Sequence, residues 1–221
     1  MTEKRPASTL QKLAQIVIIS VFYYLVAKLN FVAAQPQNYL PILWLPTGFA
    51  LAAAILWGPA MSVGVFIASF AFRLGIMTGP ERLVVSAGIA AGFALQCFVG
   101  VLLFRRYIEK LFPSNIRETL TAFGVLFFTS LLSPLVGVTS LCATGLVLWG
   151  VYFQVAFQWT VASSGSIFII TPSFMAFLCY LEKRKLKESI LWPLSACILG
   201  IACVSSLLVA QRLSLIHISQ G

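Results

Sequence analysis

Seven stretches of mostly apolar residues, broken only by short segments rich in charge, Pro or Gly, take up nearly the whole chain, at about 11–33, 41–57, 60–78, 83–104, 119–142, 150–180 and 190–210. A helix needs roughly 20 apolar residues to cross a bilayer core. In lipid the backbone must satisfy its own hydrogen bonds, so runs of this length are expected as α-helices. The expected fold is therefore all-α, an integral membrane helical bundle with about seven transmembrane helices. With 221 residues, 60% of them hydrophobic and 10% charged, the chain has no length left for a separate soluble catalytic domain. Its mean hydropathy of +0.96 agrees. The first run is too long for a removable signal peptide and lacks a small-residue cleavage pattern, so it is expected to stay as a helix.

The basic residues fix an expected orientation. Lys4, Arg5 and Lys12 precede or open the first run, Arg105, Arg106, Lys110 and Arg117 follow the fourth, and Lys183, Arg184, Lys185 and Lys187 follow the sixth. Short cytoplasmic loops retain Lys and Arg, which places the N-terminus and the segments 105–118 and 181–189 in the cytoplasm. Only Arg82 falls in the opposing loops. A net charge of +9 distributed in this way is an orientation signal, not a nucleic-acid surface. The expected location is a cell membrane, with the lipid bilayer as the principal partner and a second copy of the chain, as a homo-oligomer, as another.

Several chemistries are excluded by what the chain lacks. There is no Asp, the only His is His217, and the five cysteines, Cys97, Cys142, Cys179, Cys197 and Cys203, show no CxxC spacing. Zinc proteolysis needs His ligands, aspartyl proteolysis needs paired Asp, and a serine nucleophile such as Ser164 needs a base beside it. No phosphoacceptor His, nucleotide-binding glycine loop or cyclase signature is present. No catalytic residue, metal site or cofactor is expected.

Polar residues inside the apolar runs are the candidates for a site. Arg73 lies late in the third run, about 7 Å from its end, near enough to snorkel to the interface or to join a buried site. Gln96 lies in the fourth run, on a face shared with Gly88, Gly92 and Gly100 that is expected to pack closely on a neighbouring helix. The sixth run is too long for one straight helix, and Ser163, Ser164, Gly165, Ser166 and Pro172 in its middle predict a kinked or locally unwound segment. Arg73, Gln96, Ser163, Ser164 and Ser166 are thus expected to form a ligand-binding pocket that opens outward, where Arg73 favours an anionic or carbonyl-bearing ligand.

The most specific segment is Trp44-Leu45-Pro46-Thr47-Gly48, in which an interfacial aromatic precedes a helix-start proline. With its surroundings it resembles the bacterial membrane-associated sensor domain of the first type, of the MASE family, in which a Trp-x-Pro-Thr-Gly cluster opens the second span. The resemblance continues in Gln96-Cys97-Phe98-Val99-Gly100 leading into Leu102-Leu103-Phe104-Arg105-Arg106, and in the spacing of Trp159 and Pro172. Ser163 and Gln96 stand where the family carries acidic residues, and Arg73 stands where it carries a polar one. The resemblance implies a sensory input module without catalysis of its own, linked in the full-length protein to a cytoplasmic output such as a histidine kinase or a diguanylate cyclase or phosphodiesterase. Two other readings are a small-solute transporter or transporter fragment, which a broken sixth run and Arg73 would suit, and a scaffold whose basic loops bind anionic lipid.

Residues 1–211 are expected to be the sensor domain, truncated before a final span and the output domain. The stretch Leu213-Ser214-Leu215-Ile216-His217-Ile218 resembles the translation of a transposon end used to prepare sequencing libraries, so 213–221 is expected to be a non-native tail.

Overall fold

The computed structural model describes residues 9–34, 43–108, 111–113 and 115–181. The seventh apolar run and the tail at 213–221 lie outside them. Among the described residues the chain forms seven α-helices: α1 (Thr9–Ala34), α2 (Leu45–Trp57), α3 (Met61–Ile76), α4 (Arg82–Tyr107), α5 (Ile116–Ser130), α6 (Leu132–Ala143) and α7 (Tyr152–Leu181). A single 3-10 turn, Trp149–Val151, leads into α7. Four helical stretches are long and apolar enough to cross a membrane: Thr9–Val32, Arg82–Tyr107, Ile116–Ala143 and Trp149–Phe177. The chain is a helical membrane bundle.

The second run differs from its sequence expectation. Its helix starts at Leu45 instead of near 41 and has 13 residues, about 20 Å at 1.5 Å per residue against a hydrocarbon core of about 30 Å. It is the central strut of the bundle. Residues 50–54 are almost fully covered, and α1, α3, α4 and α7 all pack on it. Ala at four of those five positions lets the neighbouring backbones approach closely. Gly58, at φ 115°, turns the chain tightly into α3, as Trp57-Gly58-Pro59 predicts.

The helix break also falls elsewhere than expected. The fifth run stays one membrane-crossing stretch, Ile116–Ala143, with a turn at Leu131, while α7 is continuous helix through Ser163–Ser166 and past Pro172. Pro134 explains the first: it has no N–H to return to the carbonyl of Ser130, so the ladder is interrupted there. Short side chains explain the second. The Ser163–Ser166 segment brings α7 against the start of α2, where Ser166 bonds to both Gly48 and Leu45.

The glycine face of α4 packs on a neighbour as its spacing predicts. A Cβ on Gly88 would lie 2.5 Å from the Ser140 side chain, and one on Gly92 would lie 2.7 Å from the Ser133 carbonyl oxygen. A Cβ on Gly100 would meet Leu51 at 2.9 Å and Thr129 at 3.6 Å. Running down α4 these contacts run up α6 and α5, so the two are antiparallel.

Candidate functional site

The Trp-x-Pro-Thr-Gly segment is a helix start with every donor placed. The first N–H groups of a helix have no partner within it. Here the Leu45 N–H donates to Asn30 Oδ1 at 2.9 Å, and Pro46 has no N–H to satisfy. The Thr47 N–H and hydroxyl both turn back to the Trp44 carbonyl, at 3.2 and 2.7 Å. The Gly48 N–H donates to Ser166 Oγ at 3.2 Å, and that hydroxyl donates in turn to the Leu45 carbonyl at 3.1 Å. Two more bonds join the same helices, from the Trp44 N–H to the Ala162 carbonyl at 3.0 Å and from the Thr171 hydroxyl to the Gly48 carbonyl at 3.0 Å. Gly48 has no room for a larger residue, since a Cβ there would come within 2.6 Å of both the Ser166 carbonyl oxygen and Ile170 Cβ.

Trp44 carries the helix start to the polar centre of the bundle. Its indole N–H donates to the Tyr23 hydroxyl at 3.4 Å, and its ring stacks on Phe93 with centroids 6.1 Å apart. Phe93 in turn meets Trp159 at 5.6 Å. Against this aromatic cluster lies Arg73. Its guanidinium carbon is 5.5 Å from the Trp44 ring centroid, 5.7 Å from Phe72 and 6.0 Å from Trp159. Arg73 is half-buried, and its Nε is covered without a hydrogen-bond partner. No carboxylate pairs with it among the described residues.

Magnitudes decide whether such an arrangement can hold. An Arg within a membrane helix costs about 2.5–3.5 kcal/mol at the bilayer centre on insertion scales, and less toward the interface. A cation–π contact contributes about 0.5–2 kcal/mol, the upper end when desolvated. Three rings around one guanidinium therefore offset most of the cost without a counter-ion. Arg73 is thus neither a plain snorkelling residue nor part of an ion pair; it is a caged cation one turn from the end of α3.

The sequence-predicted set is only partly brought together. Gln96 is 2% exposed, and both polar atoms of its amide are covered without partners. It lines a small cavity of about 10 Å³ together with Tyr23, Thr47, Phe93 and Cys97, so it shares with Arg73 the Tyr23–Trp44–Phe93 cluster. Ser163 is fully covered with its hydroxyl unpaired. Ser164 is spent on the Val161 carbonyl at 3.2 Å within its own helix, and Ser166 on the start of α2. The exposed backbone expected of an unwound sixth run is absent because the helix there is continuous. Gly100 and Trp159 pack helices: Trp159 lies over Gly137, where a Cβ would sit 2.9 Å from the ring. Pro172 stays inside α7, one residue after the Thr171 that bonds to α2.

Sequence reasoning missed Tyr23, Asn30 and Ser133. A tyrosine in an apolar run has the same signature whether it faces lipid or the core, so only the fold shows that Tyr23 is wholly covered. Among the described residues no group of His, Cys and acidic side chains is placed to hold a metal ion.

No curated protein and no solved structure matches the chain. The family model MASE1, membrane-associated sensor domain 1, matches residues 15–220, nearly the whole length. Its members are membrane sensor domains of signalling proteins. Helical membrane bundle, buried Trp-x-Pro-Thr-Gly helix start and family match agree, and the chain belongs to the MASE1 family.

Proposed function

We propose that this MASE1 domain senses a small anionic or carbonyl-bearing ligand at Arg73 and passes the resulting change in helix packing to a cytoplasmic output domain of the histidine kinase or diguanylate cyclase type. The observation that carries the reading is the caged guanidinium of Arg73, half-buried, with Nε unpaired and no carboxylate beside it. A cation held by ring faces keeps its N–H edge for an acceptor, and the planar fork suits a carboxylate or phosphate. Trp44 and Trp159 touch the same guanidinium from α2's start and from α7, so occupancy there bears directly on the α2–α7 contact. A ligand shifts a conformational equilibrium only by its differential affinity for the two states, and a site shared by three helices is where such a difference arises.

The proposed orientation has the N-terminus in the cytoplasm and seven spans in all. It is supported by the Arg105 side chain, which reaches the Ile55 carbonyl at 3.0 Å and so puts the C-terminal ends of α2 and α4 at one end of the bundle, with Arg106 beside it. Arg73 and Trp44 lie toward the other. The inner membrane of a bacterium is the proposed location. The transport reading drew on a broken sixth run, and that support falls with the continuity of α7.

The test uses the protein together with its output domain, with output activity measured against stimulus at matched membrane levels. Arg73→Gln is expected to abolish the response, and Arg73→Lys to weaken it, since an ammonium lacks the planar stacking on Trp44 and Trp159. A full response in both variants would remove Arg73 from sensing.

A further inference from the structure

A polar group of side chains lies deeper in the bundle than Arg73, and no contact among the described residues satisfies it. The Gln96 amide oxygen and nitrogen and the hydroxyls of Ser133 and Ser163 are all covered and without hydrogen-bond partners. Ser133 and Ser163 are 0% exposed and Gln96 is 2% exposed. In hydrocarbon surroundings each such group costs several kcal/mol unless something pairs with it.

Helix register brings Ser133 and Ser163 to one level and leaves Gln96 one turn along α4 from it. Trp159 of α7 packs on Gly137 of α6. The two helices run in opposite directions, so Ser163, one turn after Trp159, and Ser133, one turn before Gly137, move to the same level. Gly92 of α4 packs on the Ser133 carbonyl, and Gln96 follows it by one turn on the same face, before the contact of Gly100 with Thr129. Gln96 therefore lies opposite the segment where α5 gives way to α6, and Pro134 leaves the Ser130 carbonyl in that segment without its helical donor.

The space matches one small polar molecule. The cavity that Gln96 lines is about 10 Å³, close to the least that holds one water, and it is bounded also by the Tyr23 and Thr47 side chains. Thr47 gives its proton to the Trp44 carbonyl, which leaves its oxygen lone pairs to accept, and Tyr23 receives the Trp44 indole N–H. An amide offers two donors and an acceptor with two lone pairs. A water in this cavity meets the two to four polar partners that buried waters require.

We propose that the Gln96 cavity binds an ordered water molecule inside the membrane-spanning bundle, joining the Gln96 amide of α4 to the Tyr23–Thr47 side of the cavity. The site is independent of any ligand at Arg73.

Radiolytic hydroxyl-radical labelling of the full chain in nanodiscs tests this, because bound water splits in place and oxidises the side chains that touch it. Phe93 and Tyr23, 2% and 0% exposed, are expected to be oxidised in the wild-type protein alongside Tyr107, which is 58% exposed. In Gln96→Leu, oxidation of Phe93 and Tyr23 is expected to fall several-fold with Tyr107 unchanged. Gln96→Met, which nearly keeps the side-chain volume and removes the amide, is the second variant should Gln96→Leu fail to fold, and the same fall is expected there. Phe93 and Tyr23 left unmodified in the wild-type protein while Tyr107 is oxidised would show a dry cavity and overturn the proposal. Equal oxidation in wild type and Gln96→Leu would overturn it as well.

Discussion

Replacing Gly48 by Ala adds one methyl group where α2 crosses α7, and the structure says what it meets. The new Cβ would lie 2.6 Å from the Ser166 carbonyl oxygen, 2.6 Å from Ile170 Cβ and 2.9 Å from Ser166 Oγ. Two of these atoms are fixed to the α7 backbone, so no rotamer change relieves the clash and the helices must separate. Overpacking of this kind costs about 1–3 kcal/mol. Separation also stretches the four hydrogen bonds that join Trp44, Leu45 and Gly48 to Ala162, Ser166 and Thr171. At roughly 0.6 kcal/mol for an average bond between membrane helices, losing them adds about 2 kcal/mol more. Against this stands a gain of about 1 kcal/mol from replacing a helical Gly by Ala. Gly124→Ala supplies the comparison, because Gly124 is in α5 with nothing near its Cβ and receives the same gain alone. Reversible unfolding by sodium dodecyl sulfate in mixed micelles, followed by circular dichroism, is expected to show Gly48→Ala less stable than Gly124→Ala by roughly 3–5 kcal/mol. Equal stability of the two variants would refute the close approach of α2 and α7.

Arg105 supplies a cation to the last turn of α2, and because its side chain is exposed the bond to the Ile55 carbonyl is screened. Arg105→Gln is expected to cost about 1 kcal/mol in the same unfolding assay, more than Arg106→Gln does. The proposed orientation is checked by a cysteine at Arg117 in a cysteine-free background: in intact cells it is expected to resist an impermeant thiol reagent and to react once the membrane is opened. Labelling from outside would reverse the topology.

The helices were legible in the sequence wherever apolar runs are long, and the tight turn at Gly58 and the glycine face of α4 followed from local chemistry. The break was not. Pro134 and Pro172 both lie in apolar runs, and Pro172 sits beside a serine cluster that seemed the weaker helix. What decides between them is tertiary: Ser166 and Thr171 are held by α2, so α7 runs on past its proline, while the ladder at Ser130 stops. The short second helix was illegible for a related reason. Hydropathy cannot tell a helix that spans the bilayer from one whose ends are satisfied by other helices.

The candidate site was legible as a set of residue types and not as a set of neighbours. Arg73, Trp44 and Trp159 were each singled out for separate reasons, yet their meeting around one guanidinium depends on α2, α3 and α7 coming together at one level. Gln96 and Ser163 are covered and unpaired in keeping with a polar core, while Ser164 and Ser166 turned out to be occupied. A serine's partner is set by which backbone passes within 3 Å, and no spacing in the chain encodes that.

The bond between Gly48 and Ser166 spans 118 residues of sequence, and this orders the assembly of the protein. Asn30 is already made when α2 leaves the ribosome, so one of the helix's bare donors finds its acceptor at once. The other waits for α7. At about 5–20 residues per second, synthesis of the intervening chain takes roughly 6–24 s. Throughout that interval the start of α2 holds an N–H with no partner that lipid could supply. The second helix is thus among the first to be synthesised and among the last to be completed, and its amino-terminal turn must stay in contact with water or the insertion machinery until the last described helix arrives.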